Sequence, residues 1–272
     1  MRTVRPKKFL GQHFLTDLSV ARAIADTVDA CPDLPVLEVG PGMGVMTQFL
    51  LEKPRPLKVV EIDRESVPYL KEHFPALAEH VVEADFLQYP LETLFNGQPF
   101  VLTGNYPYNI SSQIFFRMLD YREQIPLCTG MIQKEVAERL AAQPGSKTYG
   151  ILSVLVQLWY DCTYLFTVEP HVFNPPPKVR SAVVSLRRNE KTDAGCEERL
   201  FRRVVKTAFN QRRKMMRGSL RPLFAQLNSE QHSTADHSEF LAQPLLTKRP
   251  EQLSVAEFVA LTNAIEAEMN RG

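Results

Sequence analysis

Short apolar runs and amphipathic stretches alternate along the chain from Val36 onward. Apolar runs bounded by turn-forming residues predict buried strands, here at residues 36–39, 57–62, 80–84, 100–103 and 127–132. Stretches with helical periodicity predict helices between them, at residues 47–51, 65–74, 112–119 and 135–141. Because strands and helices alternate, the pattern predicts a mostly parallel sheet with helices on both faces.

Two further strand patterns, residues 159–168 and 181–186, follow each other without a helical stretch between them. They predict an antiparallel hairpin that completes a seven-stranded sheet with an antiparallel last strand. After Arg188 the strand pattern ends, a polar linker follows, and the remainder has helical periodicity interrupted by prolines. The sequence therefore predicts a Rossmann-like α/β domain over residues 1–188 and a small α-helical domain over residues 189–272.

The composition narrows the class of protein. With 44% hydrophobic and 23% charged residues, the chain has a globular composition and not that of a disordered segment. The four cysteines are scattered without a Cys-x-x-Cys pair, which favours free thiols over disulfides or zinc, and no metal is expected. No apolar run reaches the about 18 residues of a membrane span. We therefore expect a cytoplasmic, monomeric protein.

A glycine turn follows the first predicted strand and leads into a helix. Gly40, Gly42 and Gly44 form a Gly-x-Gly-x-Gly pattern, and glycine lets a ligand approach the backbone closely because it lacks a Cβ. Glu61 ends the next strand about twenty residues later, where a carboxylate can accept hydrogen bonds from both ribose hydroxyls of a nucleoside. A tight turn without a ligand is the alternative for the glycines.

The choice of nucleoside depends on Asp85 and Phe86, which follow the third predicted strand. Asp85 can accept a hydrogen bond from an adenine amino group while Phe86 packs near the ring. Ile62, next to Glu61 in the sequence, is also expected to contact the cofactor. The pattern lacks a provision for pyrophosphate, so it favours S-adenosylmethionine (AdoMet) over a nicotinamide dinucleotide. The alternative for Asp85 is a solvated surface residue.

The most specific motif is Asn105-Tyr106-Pro107-Tyr108, directly after the fourth predicted strand. The exocyclic amine of adenine is a poor nucleophile because its lone pair is delocalised into the ring. The Asn105 side-chain oxygen and the Tyr106 backbone carbonyl could accept both amine hydrogens, which would localise that lone pair and stabilise the developing positive charge. Pro107 fixes the turn, and Tyr108 can stack on an extruded base. No histidine or cysteine is assigned a catalytic role.

With these motifs the chain resembles the bacterial small-subunit ribosomal RNA adenine dimethyltransferases, the KsgA/RsmA family. The resemblance covers nearly the whole chain. It extends over residues 8–15, the glycine turn, 105–112, 144–150, 173–181 and 208–214.

This resemblance implies transfer of four methyl groups to two adjacent adenines near the 3′ end of 16S ribosomal RNA, within a late assembly particle. It implies that an AdoMet pocket is lined by His13, Leu15, Gly40, Glu61, Asp85 and Asn105. By analogy with related amino-methyltransferases, Phe173 would pack against the target base opposite Tyr108; a hydrophobic plug is the alternative. The family often has Asn at position 13 and commonly Leu at position 106, where this chain has His and Tyr. The pocket wall beside the adenine is therefore expected to differ from that of other members.

A basic segment lies in the predicted helical domain. Nine Lys or Arg residues and no Asp or Glu lie between Arg199 and Arg221. Val204, Val205, Ala208 and Phe209 form an apolar stripe, so one helix face is expected to enter a core while the cationic face meets RNA phosphates. A solvated helix face is the alternative. The residues expected to contact RNA are Arg202, Arg203, Lys206, Arg212, Arg213, Lys214 and Arg217.

Three other functions compete with this assignment. One is a methyltransferase that modifies adenine in large-subunit RNA, which the match around Gln211 disfavours. Another is a binding protein that assists ribosome assembly without turnover, which the intact Glu61, Asp85 and Asn105 disfavour. The third is a nicotinamide-dependent oxidoreductase.

Overall fold

A computed structural model describes Lys7 and residues 10–271. Lys8 and Phe9, which begin the first family motif, lie outside the described residues. The chain divides into two compact units, the first formed by Met1–Glu138 with Tyr160–Arg188 and the second by Arg139–Trp159 with Asn189–Gly272. Arg188 thus ends a unit, as the predicted domain boundary has it. That single boundary does not account for Arg139–Trp159, which comes earlier in the chain and belongs to the second unit. In the second unit Tyr149 packs edge-on against Phe209 with ring centroids 6.3 Å apart, which explains this grouping.

The first unit is built on a seven-stranded sheet and a separate two-stranded sheet. The strands are β1 Phe14–Leu15, β2 Val36–Val39, β3 Leu57–Glu61, β4 Val81–Glu83, β5 Val101–Thr103, β6 Leu127–Gln133, β7 Tyr160–Val168, β8 Phe173–Asn174 and β9 Ser181–Arg188. The large sheet has the order β4-β3-β2-β5-β6-β9-β7, with β9 antiparallel to both of its neighbours. The predicted Rossmann-like fold with an antiparallel last strand is therefore confirmed.

Helices cover the sheet and form the second unit. The α-helices are α1 Leu18–Asp26, α2 Thr47–Leu51, α3 Ser66–His73, α4 Ser111–Asp120, α5 Lys134–Leu140, α6 Ile151–Gln157, α7 Glu198–Asn210, α8 Met216–Ser219, α9 Arg221–Glu230, α10 Ser238–Leu241 and α11 Val255–Met269. Short 3₁₀ helices lie at Thr27–Ala30, Pro75–His80, Leu94–Gly97, Pro170–Val172, Pro244–Thr247 and Pro250–Gln252. Among Lys7 and residues 10–271, none of these helices is long and apolar enough to cross a bilayer.

Local sequence explains where the principal helices begin. The Asp17 carboxylate accepts hydrogen bonds from the backbone of Ser19 and Val20 and caps α1. Glu197 caps α7 in the same way. At α11, Ser254 and Glu257 form a reciprocal capping box. The predicted apolar stripe of α7 is confirmed, because all four of its side chains are buried.

The centre of the sheet requires two glycines where β5 and β6 end. Met131 N–H donates to the Gly104 carbonyl and Tyr106 N–H donates to the Met131 carbonyl, each over 2.9 Å. Gly130 has φ +139°, and a Cβ there would overlap the Gly104 carbonyl oxygen and lie 2.8 Å from Tyr106 Cε2. A Cβ on Gly104 would lie 2.6 Å from the Val39 carbonyl oxygen. Glycine at both positions therefore lets the three strands approach closely.

One carboxyl group is buried inside the sheet. Glu38 of β2 is fully enclosed and accepts a hydrogen bond of 2.7 Å from the Thr47 hydroxyl. Burial raises the pKa of Glu38 to about 8, against the effect of that hydrogen bond, and the nearby Glu61 adds to the rise. Nothing in the hydrophobic pattern singled out this residue.

Replacing Gly130 with Ala is expected to lower the free energy of unfolding by about 2–5 kcal/mol, because the substitution adds backbone strain and overlap with Gly104 and Tyr106. Gly97→Ala is the matched control. Gly97 also has a positive φ, of +78°, but a Cβ there meets only an ordinary contact at 3.8 Å, so we expect a loss of about 1–2 kcal/mol. Urea unfolding measures both, and equal losses would contradict the close-approach argument.

Glu38→Gln is expected to change the pH dependence of stability. The folded state keeps the Glu38 proton up to a pKa of about 8, whereas the unfolded chain releases it near its ordinary value, so the free energy of unfolding falls as pH rises between these two values. The Gln variant lacks this contribution, so its stability relative to the original protein should increase from pH 5 to pH 8. Urea unfolding across that range tests this, with the exposed Glu72→Gln as control. A constant difference would show that Glu38 is ionised in the fold.

Candidate active site

One cavity of about 290 Å³ lies at the carboxyl ends of the parallel strands, where ligands collect in open α/β sheets. Segments far apart in the chain meet there: the stretch around β1, the glycine turn, and the ends of β3, β4 and β5. Every predicted cofactor-binding or catalytic residue lines it, namely His13, Leu15, Gly40, Gly42, Glu61, Ile62, Asp85, Phe86, Asn105, Tyr106, Pro107 and Tyr108.

The glycine turn forms one wall of the cavity through a left-handed backbone. Gly40, Gly42 and Gly44 have φ values of +67°, +56° and +77°, which side-chain-bearing residues adopt only with strain. A Cβ on Gly42 would also lie 3.1 Å from Phe14 Cε1. The turn therefore depends on glycine both for its conformation and for contact with the segment around β1.

Glu61 is held in a fixed orientation at the end of β3. Its side chain accepts hydrogen bonds from Gly42 N–H at 3.0 Å and from Asp63 N–H at 2.8 Å, and the residue is only 2% exposed. Burial raises the pKa of Glu61, while these backbone hydrogen bonds oppose the rise. Asp63 in turn accepts hydrogen bonds from Lys7 Nζ at 2.5 Å and Gln12 Nε2 at 3.2 Å. The segment before β1 is thus anchored beside the Glu61 carboxylate.

The residues after β3 and β4 supply a mixed polar and apolar wall. Ile62 is 51% exposed, an unusual exposure for an isoleucine that lines a cavity. Asp85 is half-buried and accepts hydrogen bonds from Leu87 N–H at 2.9 Å and Gln88 Nε2 at 3.2 Å. Phe86 is buried next to it. Asp85 is therefore ordered by its own turn and is not a freely solvated surface residue.

Asn105 extends from the end of β5, where the close approach to β6 fixes its backbone. Its Nδ2 donates a hydrogen bond of 3.2 Å to the His13 carbonyl. This assigns the amide orientation and leaves Oδ1 as the acceptor that can meet a ligand.

Tyr106 turns its side chain into the core. The ring is 1% exposed, its hydroxyl donates to the Thr129 carbonyl at 2.8 Å, and it lies edge-on to Phe115. Within the described part of the chain, no backbone N–H donates a hydrogen bond to the Tyr106 carbonyl. The side chain of Tyr106 therefore belongs to the core, and its backbone carbonyl is the atom that can accept a hydrogen bond from a ligand.

Tyr108 is half-buried and held from two sides. Its hydroxyl is hydrogen-bonded to the Ser181 hydroxyl at the start of β9. Its ring centroid lies 5.4 Å from that of His13, with 30° between the planes. His13 is itself fixed by a hydrogen bond of 2.8 Å between Nδ1 and the Pro175 carbonyl. Ser181 was not among the predicted site residues, because no local pattern connects it to Tyr108.

Phe173 lies on β8, and its stacking against the target base opposite Tyr108 stays a prediction. It pairs with Leu15 across the two-stranded sheet and is 4% exposed within the hydrophobic core. The cavity lining does not include it. Its burial is compatible with the alternative interpretation, a hydrophobic plug before the proline run, and both interpretations stay open.

The basic segment of the second unit is only partly free. The guanidinium of Arg203 makes two hydrogen bonds of 2.8 Å to Glu230, and Arg212 donates to the backbone carbonyls of Ser146 and Lys147 at 3.3 and 2.5 Å. Arg202 is half-buried. The prediction assigned RNA contact to all seven cations. It could not foresee the pairing of Arg203, because Glu230 lies beyond the stretch from Arg199 to Arg221 that lacks acidic residues. The exposed members are Lys206, Arg213, Lys214 and Arg217.

Comparison with known proteins gives the family. The family model described as "Ribosomal RNA adenine dimethylase" matches residues 4–263. The "Ribosomal RNA small subunit methyltransferase A" of Phocaeicola vulgatus is 66% identical over 98% of this chain and 92% of the relative. The protein of the same name from Bacteroides thetaiotaomicron is 64% identical over 98% and 96%.

Two solved structures share the fold. The dimethyladenosine transferase from Plasmodium falciparum has a TM-score of 0.76 at 22% identity and covers 95% of this chain and 98% of its own. The 23S rRNA methyltransferase ErmE has a TM-score of 0.65 at 26% identity, over 92% and 99%. Since the family model and the closely similar relatives span nearly the whole sequence, this chain belongs to the ribosomal RNA adenine dimethylase family.

Proposed function

We propose that this protein transfers methyl groups from AdoMet to the exocyclic amines of two adjacent adenines near the 3′ end of 16S ribosomal RNA, during late small-subunit assembly. One observation carries the proposal: the Asn105–Tyr108 loop and the carboxylates Glu61 and Asp85 line the same cavity. A nucleoside-binding edge and an amine-binding loop thus share one site. The relatives that match over the full chain are named for the small subunit, which favours this substrate over large-subunit RNA.

The residues of the cavity fit AdoMet. The buried Glu61 carboxylate, oriented by two backbone N–H groups, would accept hydrogen bonds from the ribose hydroxyls. Asp85 would accept from the adenine amino group, with Ile62 and Phe86 as apolar neighbours of the ring. The left-handed turn at Gly40 and Gly42 leaves room for the methionine moiety. When bound, AdoMet supplies a methyl group on a positively charged sulfur.

The Asn105 loop would activate the target amine. Asn105 Oδ1 and the Tyr106 carbonyl accept the two amine hydrogens, which draws the nitrogen towards a pyramidal geometry and stabilises its developing positive charge. Tyr108 stacks on the extruded adenine, a contact worth about 1–3 kcal/mol that offsets the cost of unstacking. Holding the amine in line with the methyl group supplies the remaining acceleration. The protonated product amine is acidic, so it loses its proton to these acceptors or to water.

The exposed cations of the second unit would bind RNA. Lys206 lies on α7, and Arg213, Lys214 and Arg217 follow on the loop and on α8. Because these side chains are exposed, they can reach the phosphates of an RNA at the surface. Arg203 and Arg212 instead stabilise the unit through Glu230 and the Ser146–Lys147 backbone.

Asn105→Ala is expected to lower the rate of methyl transfer by about 10²–10³-fold, the usual effect of removing one group that stabilises transition-state charge. Glu61 and Asp85 remain, so AdoMet binding should be largely retained. Purified protein is incubated with labelled AdoMet and unmethylated small subunits, and the modified adenines are mapped by mass spectrometry. Asn263→Ala, an exposed asparagine of α11 outside the cavity, is the control. Full activity of Asn105→Ala would overturn the mechanism.

The double variant Arg213→Ala/Lys214→Ala is expected to bind small subunits less tightly and with a weaker salt dependence. Removing one cation that touches a phosphate should reduce the slope of log affinity against log salt by about 0.7–0.9. Filter binding at several salt concentrations measures the slope, and AdoMet affinity should not change. The exposed Lys71→Ala on α3 is the control. An unchanged slope would mean that these two cations do not contact RNA.

A further inference from the structure

Ser181 occupies a fixed position beside the active-site loop. It is the first residue of β9 and pairs with Gln133 of β6 on one side and with Val168 of β7 on the other. Its side chain has no exposed surface. A buried serine hydroxyl needs a hydrogen-bond partner, and here the partner is the hydroxyl of Tyr108. A strand that is hydrogen-bonded on both sides is thus connected directly to the ring at the cavity.

Tyr108 itself lies on a turn between β5 and α4, where the backbone alone does not determine the plane of the ring. Rotation about its side-chain bonds would swing the ring relative to the cavity. The Ser181 hydroxyl fixes the far end of the ring, and the His13 ring limits it from the side. Burial raises the pKa of Tyr108, so its hydroxyl stays protonated and the hydrogen bond persists at neutral pH.

We propose that Ser181 is a positioning residue that sets the plane of the Tyr108 ring, so that the extruded adenine stacks with its amine at the Asn105 oxygen. The inference rests on the proposed function and extends it to a residue that touches neither AdoMet nor RNA. Stacking needs parallel planes, and in-line transfer loses rate steeply when the reacting atoms are misplaced. Loss of the Ser181 hydroxyl therefore affects the rate of transfer and leaves the AdoMet site intact.

The first test is Ser181→Ala in the full-length protein. The single-turnover rate of methyl transfer to unmethylated small subunits is expected to fall about fivefold, the effect of one neutral hydrogen bond. The Kd for AdoMet should stay unchanged. The control is Ser185→Ala, a serine on the same strand and the same face four residues further on. Thermal melting of both variants reports any general loss of stability.

The second test is a double-mutant cycle with Tyr108→Phe, which keeps the ring and removes its hydroxyl. If the two hydroxyls act as one unit, each single variant loses rate by a similar factor and the double variant loses no more than either one. A purely structural contribution of Ser181 would not produce this coupling in the transfer rate.

The outcomes separate the inference from the function on which it rests. Coupled losses with unchanged AdoMet affinity support the positioning role. A normal rate for Ser181→Ala, equal losses for Ser181→Ala and Ser185→Ala, or losses that multiply in the double variant would overturn it. Failure of the unsubstituted protein to methylate small subunits would instead contradict the proposed function.

Discussion

The geometry of the site depends on one close backbone approach, where the end of β5 meets β6. The hydrogen bonds from Met131 to Gly104 and from Tyr106 to Met131 continue the sheet into the loop that carries Asn105. They form only because Gly104 and Gly130 leave no side chain in the gap. The position of the two proposed acceptors, at Asn105 and Tyr106, is therefore set by main-chain pairing in the centre of the sheet, as a preorganised site requires.

A second constraint acts from the N-terminal side of the cavity. The segment around β1 is bound at several points: Lys7 and Gln12 to Asp63, the His13 carbonyl to Asn105, and β1 to β8. Each contact joins residues more than fifty positions apart. The same segment thus borders Glu61, which is proposed to bind the ribose, and orients the amide of Asn105, which is proposed to bind the target amine. Ordering the segment therefore completes both halves of the proposed site.

The strands, the glycine turn and the site residues on the sheet could be predicted because their signals are local. Apolar runs identified β2 through β6 within one or two residues, and Gly40, Glu61, Asp85 and Asn105 all lie at the ends of strands or just after them. Features that depend on distant contacts could not be predicted this way. Two-residue strands such as β1 and β8 have no periodicity, and the burial of Phe173 follows from their pairing. The pairing of Arg203 with Glu230 could not be read from the sequence, because the two residues lie on different helices, α7 and α9.

The roles proposed for the Asn105 loop place different constraints on its side chains. The proposed chemistry uses a side chain at 105, a backbone carbonyl at 106 and a ring at 108. The Tyr106 side chain belongs to the core, because its hydroxyl donates to the buried Thr129 carbonyl and its ring packs on Phe115. A different core side chain at this position would therefore leave the backbone carbonyl in place. At Tyr108 the situation is reversed, since the ring itself is proposed to meet the base and its hydroxyl connects it to Ser181. The two tyrosines of one motif are thus constrained by different parts of the molecule.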